Sequence, residues 1–146
     1  MFTLGNTDLL NSKPIALFCS IKCLGEKILQ TYDRCLKWRK NSQSVISGFH
    51  SPMEKECLRI LLKGEQPVII SPARGILKRI PKEWQPHIKN GRLLIVSKFP
   101  QSVKRITTEN AIKRNEFIIK LASDVYIAYA EIGSKLTKMK IRKNKC

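Results

Sequence analysis

The chain has 146 residues, is 42% hydrophobic, and carries a formal net charge of +17 from 28 Lys+Arg against 11 Asp+Glu. That length suits one domain with its own core, and no apolar run reaches the roughly 18–20 residues of a membrane span. The opening segment holds Asp8 and Asn11 and lacks the charged-then-apolar order of a signal peptide, so a soluble cytoplasmic protein is expected. The charge favours polyanionic partners. Residues 135–146 supply six of the cations and no acid, yet +11 remains without them.

Residues 1–12 read as a loosely held N-terminal extension. "KPIALFCS" (13–20) is an unbroken apolar run and predicts a buried strand. Residues 24–42 place Leu24, Ile28, Thr31, Cys35 and Trp38 at helical spacing and predict an amphipathic helix. "SVISG" (44–48) predicts a second strand. Residues 52–64 predict a helix with Ser51 as N-cap, Pro52 in the first turn, Glu54 completing a capping box, and Gly64 as the stop. "QPVIIS" (66–71) and "RLLIVS" (92–97) predict two more strands, with a short helix or turn pair broken by Pro86 between them. Residues 107–123 predict a third long helix, and "DVYIAYA" (124–130) a fifth strand.

Strands that are apolar throughout and alternate with helices are those of a parallel sheet covered on both faces. The expected architecture is α/β, a single Rossmann-like three-layer domain over 13–134 with a mostly parallel sheet of about five or more strands. Residues 135–146 form a basic tail.

Ligands of such sheets collect at the carboxyl ends of the strands. The residues there are Ser20 and Lys22; Ser47, Gly48, Phe49 and His50; Arg74; Lys98 and Arg105; and Gly133, Ser134 and Lys135. Arg114 and Asn115 lie on the helix that leads into the last strand. Small residues, glycines and cations on one edge suit phosphate groups. Gly48 serves either a tight strand-to-helix turn or a ligand approaching the backbone. Trp38, Trp84, Phe49 and Phe99 could stack on bases; Trp38 fits a packing role better, and Phe49 and Phe99, in loops beside the rim, are the better stacking candidates. No nucleophile–base set, Walker lysine or GxGxxG is present, so a binding module fits better than an enzyme. No cofactor is implied. The five cysteines lack CxxC spacing and a nearby histidine cluster, which favours reduced structural thiols over a zinc site.

The succession "IALFCSIK", "VISGFHSPMEKECLRIL", "PVIISPARGI", "GRLLIVSKFP" and "KRNEFIIKLASDVYIAYAEIGSK" resembles the Rossmann-like core of the DNA-processing protein DprA (Smf), including its short stand-alone forms. The resemblance runs over about residues 13–137. It implies single-stranded DNA as ligand, a recombinase as partner and a possible homodimer; the wider superfamily implies nucleotides. Ser20 matches the serine of the family's Gly-Ser-Arg turn, with Ile21 in place of its arginine and Lys22 beside it. Ser47 and Gly48 match its Ser-Gly turn, and His50-Ser51-Pro52-Met53 replaces the arginine-bearing part. Arg114 and Asn115 match its Arg-Asn pair, and Gly133 and Ser134 its last small loop. The PGGxGTxxE loop of the phosphoribohydrolase branch is missing from "AEIGSKLTK". The expected function is nucleic-acid binding, of single-stranded DNA above all. The alternatives are a nucleotide sensor or hydrolase and a protein-interaction subunit.

Overall fold

The structure is a computed structural model and describes residues 1–130. One six-stranded sheet runs in the order β1-β5-β4-β3-β2-β6, formed by β1 (Phe2–Gly5), β2 (Ile15–Cys19), β3 (Val45–Ser47), β4 (Val68–Ile70), β5 (Leu93–Ser97) and β6 (Asp124–Tyr129). Strands β2 to β6 are parallel to their neighbours, and β1 is antiparallel to β5. The α/β architecture expected from the apolar runs is therefore present, with one strand more than the five named above.

The added strand comes from the opening segment. The expectation that residues 1–12 are loosely held is corrected: Phe2 to Gly5 pair with Ser97 to Leu94, and a 3₁₀ turn at Thr7–Asn11 buries Leu9. All four β1 residues are exposed, so backbone pairing holds this strand with little help from burial. Gly5 has φ +117, and a Cβ there would stand 2.7 Å from the Leu93 carbonyl oxygen, so the close approach to β5 requires glycine.

Helices α1 (Gly25–Lys40), α2 (Pro52–Leu62) and the short α3 (Gln85–Lys89) cover one face, and α4 (Thr108–Leu121) covers the other with the 3₁₀ turn. Alternate strand residues divide between the two cores. Leu17, Val45, Val68 and Leu93 pack under α1 and α2, whereas Ala16, Ile46, Ile69 and Leu94 pack under α4. Pro86 does not break its segment, because it falls in the first turn of α3, where no intrahelical N–H is needed. Arg92 closes the end of α2: its guanidinium donates to the carbonyls of Leu61, Leu62 and Gln66 at 2.7, 3.0 and 3.1 Å.

Strands β2 to β5 step outward in one direction, and β6 returns to the other side of β2. The loops after β2, β3, β4 and β5 thus share the carboxyl edge with the inward face of α4. Among the described residues no helix is long and apolar enough to cross a membrane.

Candidate phosphate seat at the carboxyl edge of the sheet

The turn between β3 and α2 is built from hydrogen bonds inside itself. Ser47 is fully buried, and its Oγ accepts the Phe49 N–H at 3.1 Å. Phe49 takes φ +47, a left-handed conformation that costs an aromatic residue roughly 1–2 kcal/mol. In return its ring enters the core under α2, where the residue is 5% exposed. Phe49 was expected as a stacking surface; it reaches the neighbouring cleft only as part of the wall. Phe99 is also buried, its N–H held by Ser97 Oγ at 3.0 Å.

Glu54 completes the expected capping box and does more. Its Oε1 accepts the N–H groups of His50 and Ser51 at 2.9 and 3.1 Å, and its Oε2 accepts the Cys19 N–H at the end of β2 at 3.0 Å. The Glu54 N–H donates to Ser51 Oγ at 3.4 Å. The anion at the N-terminus of α2 is therefore the chain's own carboxylate. Exposed amides around Gly48 were expected to receive a phosphate, yet those of Phe49, His50 and Ser51 are occupied by side chains.

The central cation is Arg114 of α4. It is 7% exposed and lies across Gly48, so that a Cβ on residue 48 would come within 2.5 Å of its Cζ. This contact explains the glycine. Gly48 gives room to a guanidinium and does not adopt a left-handed turn. Burial lowers the Arg114 pKa, and the nearby Glu54 charge offsets part of that shift. Arginine still keeps its proton inside proteins. Among the described residues its side-chain hydrogen bond is from Nε to Asn115 Oδ1 at 2.7 Å, and no ion pair is formed. A buried cation with so few partners is costly unless an anion completes it.

Two cavities open on Arg114. The larger, of about 850 Å³, lies between α2 and the 72–88 segment and brings together Gly48, Phe49, His50, Arg74 and Arg114. The smaller, of about 330 Å³, is lined by Ser20, Ile21, Asn115 and the Glu54 side of the turn. His50 and Arg114 border both. Arg74 is positioned by its own loop: its carbonyl accepts Ser97 Oγ at 2.6 Å, and its Nη1 donates to the Lys104 carbonyl at 3.3 Å. Lys22, Lys98 and Arg105 are exposed and line neither cavity, and Ser47 sits beneath the turn. Gly133, Ser134 and Lys135 lie outside the described residues.

The sequence reading missed one participant's role. Glu54 was read as completing a capping box, with no sign of its bond to β2. Trp84, named with Phe49 and Phe99 as an aromatic residue that could stack on bases, lines the wall of the larger cavity. Cys19 and Cys57 do not add a nucleophile. Burial and a hydrogen bond with Cys23 push the Cys19 thiol up, and a hydrogen bond with Cys35 and then burial push Cys57 up, so both stay protonated. Among the described residues no His, Cys, Asp and Glu cluster is placed to hold a metal ion.

A mostly parallel sheet between helical layers, with loops gathered at its carboxyl edge, defines a Rossmann-like domain. No protein-family model matches the chain, and no curated protein matches it in sequence. Among solved structures, DNA processing protein A (DprA) from Streptococcus pneumoniae superposes with a TM-score of 0.77 at 19% identity, over 99% of this chain and 51% of that one. DprA from Helicobacter pylori, in a structure described for its single-stranded DNA binding mode, gives 0.77 at 19% over 98% and 67%. The chain thus has the fold expected from its motifs and spans about half the length of the S. pneumoniae protein.

Proposed function

We propose that this chain is a DprA-like module that binds single-stranded DNA by its phosphate backbone at the carboxyl edge of the sheet. The carrying observation is Arg114: a cation 7% exposed, with one side-chain hydrogen bond among the described residues, bordering two cavities at once. A phosphate bound there would supply the missing acceptors, and charge-assisted hydrogen bonds of this kind are the strong ones. The net charge of +17 adds affinity without sequence preference. The H. pylori neighbour, described as binding single-stranded DNA, agrees with this reading.

Fluorescence anisotropy with labelled oligo(dT) over a salt series tests it. Each phosphate neutralised on a single strand contributes about −0.7 to the slope of log K against log salt, so roughly three contacts give a slope near −2. Affinity that does not respond between low and moderate salt would refute the proposal.

A further inference from the structure

We infer that the cleft between α2 and the 72–88 segment receives the base of a nucleotide whose phosphate lies on Arg114. This deepens the proposed function and rests on its phosphate seat. The floor of the cleft is apolar, made by Ile70 at the end of β4 and Ile95 in the middle of β5, with Leu58 and Ala73. Trp84 forms a half-buried aromatic wall. The rim is cationic: five lysine or arginine side chains line the cavity against one acid, Glu83. Its volume of about 850 Å³ falls within the range of roughly 300–1,000 Å³ typical of small-molecule sites.

Apolar floor and cationic rim together define the occupant. Inorganic phosphate would leave the floor wet, and a neutral aromatic would leave the rim uncompensated. A flat, weakly polar ring joined to an anion satisfies both, and a base can stack on an indole face. A nucleoside phosphate fits better than an acyl anion for a second reason. Arg114 and His50 border the smaller cavity beside Ser20 as well, so a phosphate held there has an outlet on each side. That is the geometry of a phosphodiester, with one unit in the cleft and the strand continuing past Ser20.

Tryptophan fluorescence reads this directly. Trp38 is packed edge-on against Tyr126 at 5.4 Å and does not line the cleft, which leaves Trp84 as the reporter. Oligo(dT) is expected to quench the emission, and the quench should vanish in Trp84→Phe. An abasic oligomer of equal length should bind by anisotropy without quenching. Leu77→Gln, at a lining residue that is 38% exposed and so tolerant of change, should weaken oligo(dT) about tenfold and leave the abasic oligomer unaffected. Equal quenching by both oligomers, or oligo(dT) binding with a silent Trp84, overturns the base site and leaves the DNA reading standing. Quenching by dTMP without binding of either oligomer supports the cleft as a free-nucleotide site and overturns the DNA reading. Quenching by laurate but not by dTMP overturns the inference.

Discussion

Arg114 of α4 lies where a side chain on Gly48 of the β3–α2 turn would have to be. The overlap is with the far end of a flexible side chain, not with backbone, so Gly48→Ala can fold if the guanidinium moves aside. The expected result is a melting temperature within a few degrees of wild type and an oligo(dT) affinity about tenfold weaker, since one charge-assisted hydrogen bond is worth roughly 1.5–3 kcal/mol. Unchanged affinity in a folded Gly48→Ala chain would remove Arg114 from the seat.

Glu54 acts on stability. It binds three backbone N–H groups from two separate elements, and a buried donor left without its acceptor costs about 1–3 kcal/mol. Glu54→Ala is expected to lower the melting temperature by roughly 5–10 °C. Thermal unfolding followed by circular dichroism checks this, and a shift of only a degree would mean that water replaces the carboxylate without cost.

His87 gives the fold a pH dependence. Its Nδ1 lies 2.9 Å from Arg92 Nη1, and burial first, then the Arg92 charge, hold its pKa below the usual 6.5. The unfolded chain therefore takes up the proton more readily than the folded one. This contribution is complete above about pH 6.5 and is lost as pH falls from there toward the folded value. Melting temperatures across that window should fall less steeply for His87→Gln, whose amide oxygen can still accept from Arg92. Parallel curves for the two proteins would exclude His87 as the cause.

Much of the fold was legible because strands buried on both faces leave continuous apolar runs, as in "ALFC" and "LLIV". Strand β1 left no such mark. Four exposed residues held by backbone pairing carry no hydrophobic pattern, and only Gly5 hints at the close approach. The site divides in the same way. The local capping box of Ser51 and Glu54 could be read from spacing. The bond from Cys19 to Glu54, 35 residues apart, and the packing of Arg114 on Gly48 arise only when the sheet assembles. The left-handed backbone of Phe49 was invisible because an aromatic residue gives no signal for it.

Arg114→Met, measured for both stability and oligo(dT) affinity, addresses the central claim most directly. Replacing a poorly compensated buried charge with an apolar side chain of similar length should leave the melting temperature equal or higher. Affinity should fall at least about tenfold, and the salt slope should flatten by roughly 0.7 as one phosphate contact is lost. A variant that is as stable as wild type and binds oligo(dT) equally well, with the same salt slope, would contradict the account.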